Sequence, residues 1–224
     1  MSSPQKGEQG EQYFSATPHS EDRRRVLTVN LRGHTVKVEV SNGVFSAAGL
    51  DKGTAVLLKE APTPPREGTF LDLGCGWGPL TLALGFESPQ ATIWAVDVND
   101  RAVELTRRNA SAHGLSNVSA VTEHELPEST SFDLIWSNPP IRIGKEPLHQ
   151  LLMSYIPRLT EGGRAYLVVQ KHLGSDSLIT WLSQTLGTEF AVSRYAISKG
   201  FRIIEVARST SHSTQRITEE TVNE

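Results

Sequence analysis

The sequence predicts an α/β fold: a mostly parallel, seven-stranded, doubly wound sheet that ends in an antiparallel hairpin, with a separate β-hairpin ahead of it in the chain. Three observations predict it. From Phe70 onward, short apolar β-rich runs alternate with amphipathic helical stretches, the pattern of a parallel sheet covered by helices. The stretch FLDLGCGWGPL, Phe70 to Leu80, carries a buried strand through Gly74, Cys75, Gly76, Trp77 and Gly78 into a helix opened by Pro79. Glycines let a backbone turn sharply and approach a ligand, and a helix N-terminus offers it free N–H groups. Such a turn builds a nucleotide-binding crevice at the carboxyl end of a first parallel strand. Its spacing is G-x-G-x-G, which differs from the G-x-G-x-x-G of dinucleotide sites. Finally, EFAVSRYAIS and FRIIEVARS flank Lys199-Gly200, a turn so short that its two strands must pair antiparallel.

Taken in order, residues 1–11 are polar and without periodicity, so a disordered head is expected. Arg25 to Val40 alternates apolar and polar residues about Arg32-Gly33-His34, which predicts a hairpin. Gly43 to Gly49 reads as a loop, and Asp51 stands where it caps a helix running through Ala55 to Leu58. Pro62, Pro64 and Pro65 make a stiff connector. Residues 12–65 are expected to fold over the crevice as an N-terminal extension, with too few apolar residues for a core of their own. Residues 66–208 form the core, and the Ser/Thr/Glu-rich 209–224 a flexible tail. Within the core, Asn99 to His113 predicts an amphipathic helix with Ala102, Leu105 and Thr106 inward, closed by Gly114. Asn117 to Thr122 follows as a strand. Leu148 to Leu159 predicts a helix ended by Gly162 and Gly163. Arg164 to Lys171, apolar through its middle, predicts a central strand buried on both faces. Asp176 is expected to cap the next helix, which ends at Gly187.

Two features keep company with the glycine loop. Asp97 closes the second apolar run, 19 residues after Gly78. A carboxylate there can accept both hydroxyls of an adenosine ribose; its competing use, a helix cap, is already offered by Asn99 and Asp100. The strand FDLIWS runs into Asn138-Pro139-Pro140, where two prolines stop strand pairing and fix the backbone around the Asn138 amide. Taken alone, a proline-rich turn would explain those three residues.

Together LDLGCGWG, Asp97 and NPPIRIGK resemble class I S-adenosylmethionine-dependent methyltransferases of the N-methylating type, more narrowly the small-domain ribosomal RNA guanine-N2 methyltransferases. The resemblance takes in QYFSATPHS (12–20), GVFSAAGLDKGTAVLL (43–58) and SKGFRII (198–204), and so spans residues 12–208. It implies a Rossmann-like class I fold and S-adenosyl-L-methionine as cofactor, bound by Gly74, Cys75, Gly76, Gly78, Asp97 and Asn138. It also implies catalysis by Asn138 with Pro139 and Pro140, and substrate contacts from Ile141, Arg142 and Lys145. Many relatives carry an aromatic residue after NPP that can stack on the target base. This chain has Ile141, leaving Tyr13, Phe14 or Phe45 to supply that surface. Relatives also place an acid near Glu123-His124-Glu125 against the adenine amino group, and either glutamate could serve.

A chain of 224 residues suits one α/β domain with a full core. No apolar run is long enough to span a membrane, and no basic leader precedes one. The single cysteine, Cys75, has no internal disulfide partner and is expected to pack within the loop; no Cys/His cluster has zinc spacing. A cytoplasmic enzyme with neither membrane nor metal partners is the expectation. The net charge of −3 argues against tight nonspecific binding to nucleic acid. Local basic groups are Arg142 and Lys145, Lys171 and His172, and Lys199 and Arg202. The expected partner is ribosomal RNA within a ribosomal subunit. The other readings are methylation of a protein glutamine N5 or DNA adenine N6, and a non-catalytic cofactor-binding module.

Overall fold

The computed structural model describes residues 21–210. Tyr13, Phe14, the rest of the head and the tail from residue 211 lie outside the described residues. The first hairpin pairs β1 (Arg24–Leu31) with β2 (His34–Ser41). Its two-residue turn, Arg32-Gly33, has φ of 50° and 93°, the left-handed pair that matches the twist of the strands it joins. Val36, Val38 and Val40 point from β2 into the core.

The main sheet has the order β5-β4-β3-β6-β7-β9-β8. Its parallel part is β3 (Glu67–Leu73), β4 (Gln90–Val96), β5 (Val118–Val121), β6 (Phe132–Ser137) and β7 (Leu159–Gln170). The closing hairpin, β8 (Phe190–Ser198) and β9 (Phe201–Arg208), adds β9 antiparallel to β7. Its turn, Lys199-Gly200, repeats the left-handed pair at 48° and 80°. The helices are α1 (Lys52–Glu60), α2 (Pro79–Glu87), α3 (Asp100–Ala112), α4 (Lys145–Tyr155) and α5 (Ser175–Thr185). The fold expected from the sequence, seven strands with a terminal hairpin and a hairpin in front, is the fold observed.

Alternation along the strands builds two apolar layers. Phe70, Trp136, Tyr166 and Val168 join the layer under α1, α2, α3 and the first hairpin. Leu71, Ile135, Leu167 and Val169 face the layer under α4 and α5. β7 is thus buried on both faces through its middle, as its unbroken apolar run predicts. Arg32 fastens the hairpin to the first layer. Its guanidinium donates to the Leu58 and Ala61 carbonyls at the end of α1 (2.6 and 3.1 Å) and to Glu87 (2.6 Å), and lies 5.7 Å over the Trp136 ring. A cation there complements the negative end of α1.

Two expectations fail. The helix near Leu148 begins at Lys145 and stops at Tyr155, because Pro157 has no N–H to continue it; a short 3-10 turn, Ile156–Arg158, leads into β7. β7 therefore begins at Leu159, with Gly162 (φ 77°) and Gly163 inside the strand where its register with β6 shifts. Asp176 does not cap α5. The N-cap is Gly174, and Asp176, in the first turn, pairs with Arg194 and Arg202.

The sheet order reverses between β3 and β6. From β3 the chain winds outward to β4 and β5, then returns to place β6 on the other side of β3. The carboxyl ends of these two neighbours open a crevice at that switch point, where ligands of such sheets bind. Both sequence features, the glycine loop after β3 and the NPP after β6, end there.

Candidate functional site

The glycine loop forms one wall. The Gly74 and Cys75 N–H groups donate to the Val96 carbonyl (2.8 and 3.0 Å), and that of Gly78 to the Cys75 carbonyl (2.9 Å). Gly74, Gly76 and Gly78 all have positive φ, at 80°, 58° and 94°. A Cβ on Gly74 would meet none of the described residues within 4 Å, which leaves room there for a ligand; one on Gly78 would press on Thr106 of α3 at 3.0 Å. Gly78 thus allows close packing of α2 on α3, and Gly74 and Gly76 line the crevice. The Cys75 side chain is buried against Ala95, Val103 and Ala120, as a packing role requires. Burial pushes its thiol well above the ordinary range, with the charges of Asp97 and Asp72 adding to the effect.

Asp97 sits at the end of β4, tied to the loop: its Oδ2 accepts from the Gly76 N–H and its Oδ1 from the Asn99 N–H, both at 2.9 Å. Burial raises its carboxyl above the usual range, and the backbone bonds oppose that shift. Asn99 provides the cap of α3, its Oδ1 accepting from the Arg101 N–H at 3.0 Å. Beyond its backbone donors Gly76, Asn99 and Val98, the carboxylate keeps acceptor capacity for a hydroxyl.

Asp72 is a crevice residue that the sequence reading passed over. It lies at 0 % exposure in β3, between Leu71 and Leu73. Its Oδ2 accepts from the Thr81 N–H (2.9 Å) and hydroxyl (2.5 Å), while Oδ1 is buried with no partner among the described residues. Burial pushes this carboxyl up to about 7; Thr81 pulls it down and Asp97 adds to the rise. An unpartnered buried carboxylate oxygen is costly unless something cationic or a donor meets it. The signal was available as an acid inside an apolar strand.

The opposite wall is Asn138-Pro139-Pro140. Pro140, at φ −75° and ψ 72°, is the centre of an inverse γ-turn closed by the Ile141 N–H on the Pro139 carbonyl at 2.8 Å. That carbonyl keeps one lone pair. The Asn138 amide nitrogen donates to Asp51 Oδ2 (2.8 Å) and Thr54 Oγ1 (3.0 Å). Asp51 is the cap expected for α1, accepting from the Gly53 and Thr54 N–H groups at 2.7 and 3.0 Å. Its link to Asn138 carries no sequence signal, since 87 residues separate the two.

Phe45 and Ser46 form the rim. The GVFS loop is held by the Asn99 amide on the Gly43 carbonyl (2.7 Å) and by Arg101 on the Asn42 carbonyl (2.8 Å). Ser46 adopts φ 58°, unusual for a residue with a side chain, and Phe45 is left 45 % exposed beside the crevice. Ile141 instead turns into the layer under α4. Arg142 and Lys145 are exposed just past the NPP, as are Lys171, His172 and Lys199 at the neighbouring strand ends. Arg202 is buried against Asp176 and leaves that rim. Glu125 is spent in a capping box with Thr122 (2.8 Å to its N–H), which leaves Glu123 as the uncommitted acid of that loop. Among the described residues no cluster of three or more His, Cys, Asp or Glu could hold a metal, and no helix is long and apolar enough to cross a membrane.

Residues 35–205 match the family model of the methyltransferase small domain. The chain is 32 % identical to the uncharacterized protein YbxB of Bacillus subtilis (strain 168) over 88 % of this chain and 98 % of that protein. It is also 32 % identical to the ribosomal RNA small subunit methyltransferase C of Salmonella typhi, over 78 % of this chain and 51 % of the relative. Among solved structures it resembles the T. thermophilus 16S rRNA N2 methyltransferase RsmC in complex with AdoMet and guanosine, with TM-score 0.68 and 25 % identity over 83 % of this chain and 50 % of that one. The chain thus spans about half the length of these ribosomal RNA methyltransferases and nearly all of the Bacillus protein. With its crevice, its glycine loop and its NPP in place, the chain belongs to the methyltransferase small-domain family.

Proposed function

We propose that this protein transfers a methyl group from S-adenosylmethionine to the exocyclic N2 of a guanine in ribosomal RNA, presented within a ribosomal subunit. The observation that carries it is the meeting of two walls in one crevice: a glycine loop backed by buried acids, and an Asn138 side chain beside it. The residues present suit the cofactor. The open face of Gly74 admits a ligand against the backbone, the spare lone pairs of Asp97 suit a ribose diol, and the unpartnered Asp72 Oδ1 suits the ammonium of a methionine moiety. When bound, S-adenosylmethionine supplies a methyl group on a cationic sulfur, already a good leaving group, so that placement is the main task left to the protein.

The acceptor presents the harder problem. A base amino group is a poor nucleophile because its lone pair is delocalised into the ring. Hydrogen bonds from its two hydrogens to the Asn138 oxygen and the free lone pair of the Pro139 carbonyl favour a pyramidal nitrogen with its lone pair available. So held, the amine would turn its lone pair toward the methyl group that bound S-adenosylmethionine would supply, and the proton the methylated nitrogen sheds would pass to water. No strong base is needed beforehand. Phe45, exposed at the rim of the crevice that Asn138 also lines, offers the stacking face that Ile141 does not, and an unstacked base is the usual form in which RNA is read.

The acidic balance of the chain gives little attraction to bare RNA, so affinity rests on shape and on local cations such as Arg142 and Lys145. Transfer of labelled methyl to purified ribosomal subunits, protein-free rRNA and a release-factor protein tests the reading. The subunit is expected to be methylated best, with the label recovered as N2-methylguanine. Replacing Arg142 and Lys145 together by Ala is expected to lower that activity and flatten its salt dependence while leaving cofactor affinity unchanged. Preference for the protein substrate would replace this reading with glutamine methylation, and label in adenine would replace it with adenine methylation.

A further inference from the structure

We infer that Asp51 is a positioning residue for the reaction: with Thr54 it holds the Asn138 amide nitrogen turned into the protein and the amide oxygen turned to the acceptor. This rests on the reading of Asn138 as the group that meets the acceptor amine. The two ends of an asparagine amide have nearly the same shape but opposite hydrogen-bonding character. With its nitrogen outward, Asn138 would set a donor against the hydrogens of the acceptor, and the site would fail. Something must choose the orientation.

Asp51 makes the choice because an ionised carboxylate only accepts. Its Oδ2 takes three N–H groups, from the backbone of Gly53 and Thr54 and from Asn138, at 2.7, 3.0 and 2.8 Å. The second amide hydrogen of Asn138 goes to Thr54 Oγ1 at 3.0 Å. Both hydrogens are therefore used, whereas Oδ1 accepts from no described residue. Turning the amide over would set its oxygen against the Asp51 carboxylate.

Gly53 reports the same arrangement independently. It lies in ordinary helical backbone, where glycine is a poorer choice than alanine, so its backbone conformation does not require a glycine. Space does. A Cβ at Gly53 would lie 3.0 Å from Asp51 Oδ2, 3.1 Å from the Phe201 ring and 3.3 Å from Asn138 Oδ1. The missing side chain lets the carboxylate, the amide and the ring at the start of β9 close on one point. The Asp51 charge then stands one hydrogen bond behind the accepting oxygen. There it strengthens that oxygen as an acceptor and stabilises the positive charge that would grow on the nitrogen as the methyl arrives.

Helix capping alone would also explain an aspartate at this position, so the variants must separate the two roles. Asp51→Asn keeps a good cap but removes the charge and the acceptor-only character. Thr54→Val keeps the shape and removes the second acceptor, and Thr54→Ser restores it. In single-turnover methyl transfer, Asp51→Asn is expected to lower the rate about tenfold and Thr54→Val about threefold, with Thr54→Ser near wild type. Cofactor affinity by calorimetry and the melting temperature should barely move. An independent readout uses no acceptor: the side-chain amide proton pair of Asn138 in the NMR spectrum, identified by its loss in Asn138→Asp. One proton should shift in Asp51→Asn and the other in Thr54→Val. If neither shifts, or if both variants transfer methyl at the wild-type rate, the inference is overturned. Should glutamine or adenine prove to be the acceptor, the guanine reading falls, while the NMR result still decides the role of Asp51.

Discussion

The two walls of the crevice are built by different means. The glycine-loop wall is held by backbone bonds between neighbouring stretches: the loop on Val96, Gly78 on Cys75, and Asp97 on Gly76 across 21 residues. The NPP wall is held by side chains brought together from afar, Asn138 with Asp51 and Thr54 across 87 and 84 residues. The first wall is rigid because its own turn makes it so. In the second the prolines fix the backbone, but the Asn138 amide is held only when α1 and β6 are docked. Damage to the first should therefore appear as lost cofactor binding, and damage to the second as lost turnover with the cofactor still bound.

The largest effect should fall on the second wall. Asn138→Ala removes the group we propose as acceptor for the reacting amine and is expected to lower kcat roughly 100- to 1,000-fold, as for loss of one preorganised hydrogen-bonding group. Cofactor affinity measured by calorimetry should stay near wild type. Loss of both together would make Asn138 a structural pin of the strand tip and erase the contrast between the walls.

On the first wall, Asp97→Ala is expected to weaken S-adenosylmethionine binding by about 1.5–3 kcal/mol, the scale of hydrogen bonds to a charged group. Because Asp97 also accepts from Gly76 and Asn99, the loop should loosen as well. The turnover of cofactor-saturated enzyme should change far less than in Asn138→Ala. Unchanged affinity in a folded variant removes Asp97 from the cofactor site.

The same contrast explains what could be read in the sequence. Local chemistry was legible: both hairpin turns, the cap at Asp51, the glycine loop and Pro79 at the head of α2. The NPP was legible as a rigid strand tip, whereas its partners Asp51 and Thr54 were not, because only the fold brings them near. The end of α4 was misread because the glycines at 162 and 163 looked like its stop, when Pro157 had already broken the helix. Asp176 has the residue type of a cap, but the arginines of β8 and β9 claim its carboxylate. Asp72, an acid between leucines, was passed over, because its unpartnered oxygen emerges only from the packing around it.

That oxygen gives the mildest and most specific test of the first wall. Without cofactor, burial holds the Asp72 carboxyl at about 7, far above the ~3.9 of an unfolded aspartate. Between those values the folded chain keeps a proton that the unfolded chain has lost. The contribution of this group to stability is therefore greatest below about pH 4, declines as pH rises toward 7, and is constant beyond. Cofactor binding should run the other way. An ammonium placed against Oδ1 favours the carboxylate and draws its pKa down, so binding near pH 7 releases a proton. Affinity should then fall about tenfold between pH 8 and pH 6, one unit below the pKa of the free site. Calorimetry in buffers of different ionisation enthalpy measures both quantities. Asp72→Asn, which keeps an oxygen for Thr81, should abolish the proton release and flatten the pH dependence. The same slope surviving in that variant would assign it to another group, and Asp97, raised by the same burial, would be the next to replace.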